Sequence, residues 1–162
     1  MTITSYAIAI GSNRRHHRYG APDGVVAAAM AALHRLGDIT GASPIIRTPA
    51  LGPAGRRFAN AAVLLETELE PNALLSQLKQ IERRFGRRRG RRWGARVLDL
   101  DVILWSEGPF AAAGLTVPHP EFRARHFVLQ PLAAIAPAWR DPITGRTVRQ
   151  LLHAVDRRAP RA

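Results

Sequence analysis

Two aspartates at alternate positions, Asp99 and Asp101, are the side chains of this sequence best arranged for chemistry. They lie in LDLDVILW, which starts at residue 98 and reads as a β-strand. Alternate side chains of a strand share a face, so both carboxylates lie on one face, with attachment points roughly 7 Å apart. Four apolar side chains are predicted on the opposite, core-facing side: Leu98, Leu100, Val102 and Leu104.

Paired carboxylates repel each other unless a cation lies between them. Mg²⁺ is one candidate, because it reaches proteins through one or two carboxylates together with substrate phosphates. Arginine is the other, since eight arginines lie between residues 83 and 96 with no acid between Glu82 and Asp99. The pattern therefore fits a site in which the aspartates bind a metal ion and the arginines bind phosphate. It also fits a solvent-facing strand whose acids form surface ion pairs with arginines.

Composition narrows the class of protein. The 162 residues suit one domain over 1–162, with 156–162 as a frayed tail. No cysteine is present, which excludes disulfides, thiolate zinc sites and cysteine nucleophiles. The N-terminus lacks a basic n-region and no apolar run approaches ~20 residues, so we expect a cytoplasmic protein without a membrane partner. The net charge of +12 favours nucleic acid, an anionic membrane surface or a highly charged small anion as ligand.

The order of predicted elements indicates the fold class. Hydrophobic periodicity, with proline and glycine at helix ends, predicts six main elements. They are a strand at 6–10, a helix from 22 to 36, a strand at 38–47, a strand at 61–67 led in by 58–60, a helix from 71 to 85, and a strand from 98. This βαββαβ order is that of a ferredoxin-like α+β core with a mostly antiparallel sheet.

Smaller signals lie outside that core. A short strand at 115–117 enters Pro118-His119-Pro120, where the prolines fix the backbone around a histidine. Thr147 and Gln150 match a capping box that opens a last helix. His16 and His17 lie in the charged loop 14–20, and we expect both to be solvated.

Five segments follow one another along the chain: AIAIGSN at 7–13, RTPALGP at 47–53, FANAAV at 58–63, RWGARVLDLD at 92–101 and LTVPHP at 115–120. In this order they resemble the 6-hydroxymethyl-7,8-dihydropterin pyrophosphokinases of folate biosynthesis. The resemblance covers nearly the whole chain, and its specificity lies in the five together.

The resemblance implies a single three-layer αβα domain that transfers pyrophosphate from ATP to the pterin hydroxymethyl group and releases AMP. It implies two Mg²⁺ ions held by Asp99 and Asp101. The partners are expected to be small-molecule substrates and not nucleic acid, with the chain a monomer. The matching pterin positions are Gly11, Thr48, Pro49, Leu51, Phe58, Asn60, Asp99 and Phe127. The matching ATP positions are Glu82, Arg87, Arg89, Arg92, Trp93, Arg96, Thr116, His119 and Arg125.

Within that resemblance, Arg87 and Arg96 are expected to stabilise transition-state charge, alongside Asp99 and Asp101 as catalytic positions. An always-protonated guanidinium that binds phosphate in a fork suits this role. No general base is evident. Loops 52–57 and 86–95 are expected to close over bound nucleotide and exclude water.

The sequence departs from the family's usual pattern at three places. Loop 14–20 replaces a shorter acidic turn, Pro120 stands where some members carry an aromatic residue, and His126 stands where a small residue is common.

Three other classes of protein stay open. An RNA-binding ferredoxin-like sheet would carry exposed aromatics on its central strands, which the acidic strand here lacks. A metal-dependent nucleotidyl transferase or cyclase would not account for Pro49, Phe58 and Asn60 as a heterocycle clamp. A degenerate, non-catalytic member of the family would not be expected to keep both aspartates and both arginines.

Overall fold

Strand β1 (Thr4–Ser12) is the central strand, and the rest of the sheet is built around it. The structure is a computed structural model that describes residues 2–48, 58–86 and 97–158. The remaining strands are β2 (Asp38–Ala42), β3 (Ile46–Thr48), β4 (Phe58–Thr67), β5 (Asp99–Trp105), β6 (Phe110–Ala112) and β7 (Leu115–Val117). The α-helices are α1 (Pro22–Leu33), α2 (Pro71–Arg84), α3 (His126–Ile135) and α4 (Val148–Arg158), with 3₁₀ turns at His34–Leu36 and Phe122–Ala124.

The main sheet is antiparallel with strand order β2-β4-β1-β5, and β3 pairs with the same strand β4. Taking β2 and β3 as one interrupted strand, this is the order produced by two βαβ units whose strands interleave. The predicted ferredoxin-like α+β class is confirmed. Strands β6 and β7 form a separate two-stranded hairpin, of which the sequence predicted only β7.

Helices cover both faces of the sheet, and each face has its own core. On one face, α1 and α2 bury residues such as Val26, Leu33 and Leu78 against β1, β4 and β5. On the other, α3 and α4 bury residues such as Leu129 and Leu151. The large buried side chains of this αβα arrangement supply the hydrophobic free energy of folding, at about 1.5–3 kcal/mol each. Among the described residues, no helix has the length and apolar character needed to cross a bilayer.

A β-bulge in β5 changes the predicted facing of Leu104. Leu98, Leu100 and Val102 lie in the α1/α2 core as predicted, but Leu104 lies in the α3/α4 core. Ala7 pairs with Leu104 and Ile8 with Val102, so β5 has one extra residue at this point. An extra residue inverts the alternation beyond it. The predicted facing of Leu104 was therefore wrong, whereas the facing of Asp99 and Asp101 is unaffected.

The predicted strand 38–47 is two strands, because Ser43 and Pro44 interrupt it. Pro44 has no N–H to donate to a ladder. Ser43 bridges the gap instead: its N–H donates to the Ala62 carbonyl oxygen at 2.9 Å, and its Oγ accepts from the Ala62 N–H at 2.9 Å.

Loop 14–20 folds back on itself, and the expectation that His16 is solvated was wrong. His16 and Gly20 exchange backbone hydrogen bonds of 2.8 and 2.9 Å. His16 is 9% exposed, and its ring lies 4.7 Å from the Tyr19 ring and 5.9 Å from the Phe85 ring, centre to centre. Burial first, and then the nearby His17 and Arg18, lower the pKa of His16.

Helix α4 begins with the predicted capping box. Thr147 Oγ1 accepts from the Gln150 N–H at 3.1 Å, and Gln150 Oε1 accepts from the Thr147 N–H at 2.9 Å. The helix extends to Arg158, so it includes the first three residues of the segment expected to fray. Residues 159–162 lie outside the described part of the chain.

Candidate active site

A row of three residues crosses the sheet at one end. Gly11 on β1 pairs with Asn60 on β4 and with Asp99 on β5. The neighbouring odd-numbered residue of β1, Ala9, packs against the α3/α4 core, so the row faces that layer. Strand alternation and pairing register thus bring together three positions that are far apart in sequence.

Asn60 is the buried polar group of this row. The residue is 6% exposed, and its amide Nδ2 has no hydrogen-bond partner among the residues that the structure describes. Its Oδ1 lies 3.2 Å from the point where a Cβ on Gly11 would be. Buried amide donors are nearly always hydrogen-bonded, so an orphaned one next to a glycine indicates a place for a ligand acceptor.

Two half-exposed phenylalanines lie on the side of the sheet that this row faces. Phe58 begins β4 two residues before Asn60, on the same face, and pairs across the ladder with Thr48 on β3. Phe127 lies in the first turn of α3, in the layer that covers that face. Both side chains are 40% exposed, in contrast to the fully buried Phe122. Exposed aromatic faces beside an orphaned donor suit a planar heterocycle.

A cleft of about 340 Å³ runs along β5, between α2 and the β6–β7 hairpin. Five predicted site residues line it together: Glu82, Asp99, Asp101, Thr116 and His119. The cleft lies at the edge of β5, where the Leu100 N–H donates to Glu82 Oε2 at 2.9 Å and the His119 N–H donates to the Ile103 carbonyl oxygen at 3.0 Å. The wall residues are thus anchored to the strand that carries the two aspartates.

Glu82 is buried, at 3% exposure, although it lines the cleft. Its carboxylate accepts the hydrogen bond from a β5 edge N–H. This hydrogen bond fixes the position of α2 relative to β5. Glu82 therefore shapes the cleft whether or not it also contacts a ligand.

His119 is held in its neutral form. Its Nδ1 accepts a hydrogen bond from the Glu121 N–H at 3.2 Å, so the ring proton is assigned to Nε2. Burial and then the Arg125 guanidinium lower the pKa of His119, whereas the Glu121 and Asp99 carboxylates oppose that shift. The neutral ring therefore offers an Nε2–H donor at the cleft wall at neutral pH.

Arg125 connects the two sets of candidate residues. Its guanidinium binds Glu121 Oε2 at 2.8 Å and lies 5.8 Å from the centre of the Phe127 ring. The Glu121 side chain is 67% exposed and that of Arg125 is 32% exposed, so the pair is partly screened by solvent and contributes little to stability.

Among the described residues, two carboxylates are suitable protein ligands for Mg²⁺. Asp99 and Asp101 are half-buried neighbours on one face of β5, and they share the cleft. Within the described ranges no group of three His, Cys, Asp or Glu side chains has metal-binding geometry. A carboxylate pair of this kind matches Mg²⁺, which keeps several water or phosphate oxygens as its other ligands.

Several predicted positions lie outside the described residues, so their placement stays a prediction. They are Pro49, Leu51, Arg87, Arg89, Arg92, Trp93 and Arg96, with loop 52–57 and loop 86–95 beyond Gly86. Conversely, Lys79 lines the cleft and was not predicted as a site residue. Its spacing from Glu82, three residues along α2, was the available signal.

Comparisons with known proteins identify the family of the chain. A family model described as 7,8-dihydro-6-hydroxymethylpterin-pyrophosphokinase (HPPK) matches residues 7–137. A Pseudomonas aeruginosa protein named 2-amino-4-hydroxy-6-hydroxymethyldihydropteridine pyrophosphokinase is 41% identical over 150 residues, which cover 91% of this chain and 89% of that protein. A Synechocystis protein of the same name is 46% identical over 110 residues, covering 68% of this chain and 56% of that protein, so the chain spans little over half of that relative.

Among solved structures, a Plasmodium falciparum HPPK-DHPS triple mutant with SDX-DHP has a TM-score of 0.75 at 12% identity. The match covers 94% of this chain and 44% of that one, and at this identity it supports the fold alone. The family model covers most of the chain, and the P. aeruginosa relative matches along nearly its whole length. The chain belongs to the 7,8-dihydro-6-hydroxymethylpterin-pyrophosphokinase family.

Proposed function

We propose that this chain transfers pyrophosphate from ATP to the hydroxymethyl group of 6-hydroxymethyl-7,8-dihydropterin and releases AMP. One observation carries the proposal. Asp99 belongs both to the row with Gly11 and Asn60 and to the cleft lined by Glu82 and His119. A heterocycle at the row and a nucleotide in the cleft would therefore meet at one carboxylate, as two substrates of a transfer reaction must.

The pterin would lie against the row. Its ring stacks between Phe58 and Phe127, and the orphaned Nδ2 of Asn60 donates to a ring acceptor. Gly11 leaves room for the close approach of the ring. Thr48, Pro49 and Leu51 are assigned to the rim of the same pocket from the family resemblance, as is Asp99 for the polar edge that carries the hydroxymethyl group.

ATP would occupy the cleft along β5. The described residues assigned to it are Glu82, Thr116, His119 and Arg125, and the resemblance adds Arg87, Arg89, Arg92, Trp93 and Arg96. His119 contributes a neutral N–H donor, and Arg125 contributes a guanidinium that exchanges Glu121 for phosphate oxygens. The positively charged arginines would stabilise the negative charge concentrated on the triphosphate.

In the reaction, the hydroxymethyl oxygen forms a bond to the β-phosphorus of ATP, and the bond from that phosphorus to the oxygen bridging to the α-phosphorus breaks. AMP leaves with the bonding electron pair, and the proton of the hydroxymethyl group is released to solvent. Asp99 and Asp101 would hold two Mg²⁺ ions, whose chemistry is to neutralise charge on the phosphates and orient them. We assign to Arg87 and Arg96 the stabilisation of the negative charge that develops in the transition state.

An RNA-binding sheet is the less well supported alternative. Such sheets bind single strands on an open face that carries aromatic side chains. Here α1 and α2 pack on one face and α3 and α4 on the other. Neither face is open to a single strand in the way that such binding requires.

The test is AMP production from ATP and Mg²⁺, with and without the hydroxymethyldihydropterin. We expect AMP only with the pterin, and at least a hundredfold loss of rate in Asp99→Asn and Asp101→Asn. Asp38→Asn is the matched control, because Asp38 is an exposed acid on β2 at the far edge of the sheet. ADP as product, or AMP formed at the same rate without pterin, would overturn the proposal.

A further inference from the structure

A second pocket lies on another side of α2, away from the cleft along β5. Its volume is about 290 Å³, and it is formed by α1, the C-terminal part of α2 and Tyr19. Glu82 lines the cleft, whereas Ile81 and Phe85 line this pocket, and the two linings share no residue. Ligand pockets range from roughly 300 to 1,000 Å³, so this one suits a small molecule. The function proposed above makes no use of it.

The walls of this pocket are largely apolar. On α1 the lining residues include Ala28, Ala31 and Ala32, whose small side chains leave the space beside the helix open. The rings of Tyr19 and Phe85 also line the pocket, and they stack on each other with 5.2 Å between their centres and 27° between their planes. Tyr19 is 36% exposed. A planar apolar ring can pack against an aromatic pair of this kind.

Loop 14–20 holds Tyr19 in position. His16 Nδ1 accepts hydrogen bonds from the Arg18 N–H at 3.0 Å and from the Tyr19 N–H at 3.3 Å. The His16 ring stacks on the Tyr19 ring, and the Arg18 guanidinium lies 5.6 Å from the centre of the same ring. The aromatic wall of the pocket is therefore formed by the protein alone.

Two guanidinium groups line the pocket, and none of the described residues that line it is acidic. Arg35 lies in the 3₁₀ turn that follows α1, and Arg84 is the last residue of α2. Within residues 2–48, 58–86 and 97–158, neither arginine forms an ion pair. A guanidinium binds a carboxylate through two parallel N–H donors, so the charge of this pocket is complementary to an anion.

We propose that this pocket binds a small planar apolar anion, with its ring against Tyr19 and Phe85 and its carboxylate between Arg35 and Arg84. The arginines make the pocket selective for an anion over a neutral molecule of the same shape. The apolar walls make it selective for such an anion over free phosphate, because phosphate would lose hydration there without burying apolar surface.

Alanine-methyl NMR tests the location and the selectivity together. The probes are 2-naphthoate, its neutral isostere 2-naphthamide, and inorganic phosphate. We expect 2-naphthoate to shift the methyl signals of Ala28, Ala31 and Ala32, with a Kd at least tenfold below that of 2-naphthamide, and phosphate to leave them unmoved. Ala112 lines the cleft along β5, so its signal is the reference for binding there. Shifts confined to Ala112, equal Kd values for the two naphthyl probes, or no binding would overturn the proposal.

Two variants separate the role of charge from that of space. Arg84→Met should raise Kd for 2-naphthoate about tenfold and leave Kd for 2-naphthamide unchanged. Arg83→Met is the matched control, since it removes one positive charge from the same helix outside the pocket lining. Ala31→Phe should abolish binding of both probes, and because Ala31 is exposed, the larger side chain fills the pocket without entering the core. Equal losses in the two arginine variants, or binding that persists in Ala31→Phe, would contradict the assignment.

Discussion

The side-chain oxygen of Asn60 lies so close to Gly11 that a Cβ on the glycine would come within 3.2 Å of it. The two residues are partners across β1 and β4, and within residues 2–48, 58–86 and 97–158 Asn60 Nδ2 has no hydrogen bond. The absence of a side chain at position 11 therefore determines where the Asn60 carboxamide lies. The glycine acts here through space and not through its backbone angles, since its φ is not positive.

Gly11→Ala tests this relationship. The added methyl group has to displace the Asn60 side chain by a few tenths of an ångström, so the orphaned donor moves away from its ligand. We expect KM for the pterin to rise about tenfold, with a loss of about 1 kcal/mol in the free energy of unfolding. Steady-state kinetics and chemical denaturation measure the two effects. Kd for an ATP analogue is the internal control, and an unchanged KM for the pterin would separate Gly11 from the site.

Much of this row could be predicted from sequence because it depends on local rules. Strand alternation places Asp99 and Asp101 on one face, and the βαββαβ order makes the strands of Gly11, Asn60 and Asp99 neighbours. Residue identity then indicates which of these positions are polar. The cleft residues Glu82 and His119 were found through the family resemblance, not through periodicity.

The features that sequence reasoning missed depend on tertiary packing. The bulge that turns Leu104 into the α3/α4 core is a property of the β1–β5 pairing, and no local pattern marks it. His16 is buried because Tyr19 and Phe85 happen to enclose it, although its neighbours in sequence are charged. In the sequence, Lys79 is an ordinary exposed helix residue. Only the folded structure shows that it lines a cleft whose opposite wall is the β6–β7 hairpin.

The electrostatic environment of His119 predicts an ordered series of pKa values. Burial and Arg125 lower the pKa of His119 from its ordinary 6.5, and Asp99 opposes them. We expect the pKa to fall further in Asp99→Asn and to rise in Arg125→Met. NMR titration of the ring protons measures all three proteins directly, with the exposed His153 as an internal reference. Equal values in the three proteins would mean that neither charge acts on His119.

The lowered pKa of His119 also determines how the free energy of unfolding changes with pH. The fold favours the neutral ring, so the unfolded chain takes up this proton first as the pH falls. His119 therefore lowers the free energy of unfolding progressively from about pH 6.5 down to its folded pKa. In His119→Gln that part of the pH dependence should disappear, which denaturation curves between pH 5 and 8 would detect.

The capping box of α4 predicts a modest loss of stability. Thr147→Ala removes the acceptor for the Gln150 N–H, which should cost about 1 kcal/mol and lower Tm by about 2–4 °C. Because Gln150 also bonds back to Thr147, the double variant with Gln150→Ala should lose less than the sum of the single losses. Additive losses in thermal denaturation would show that the two bonds act independently.

Asp141 predicts how the fold responds to acid. Its carboxylate is fully buried and accepts hydrogen bonds from Arg123 Nε at 2.5 Å and Nη2 at 2.8 Å, from Thr144 Oγ1 at 2.7 Å and from the Ile143 N–H at 3.0 Å. Burial alone would raise the pKa of Asp141, but these bonds, with Arg123 the foremost, lower it from 3.8 to about 2. The charged form is therefore the one the fold favours.

A carboxylate with a lowered folded pKa contributes stability above its unfolded pKa and loses it as the pH falls towards the folded value. We expect Asp141→Asn to be destabilised at pH 7, and the difference from wild type to shrink by about 2 kcal/mol between pH 5 and pH 2. Urea denaturation across that range measures the difference, with Asp38→Asn as the exposed control. A difference that stays constant down to pH 2 would mean that lost packing, and not lost charge, destabilises the variant.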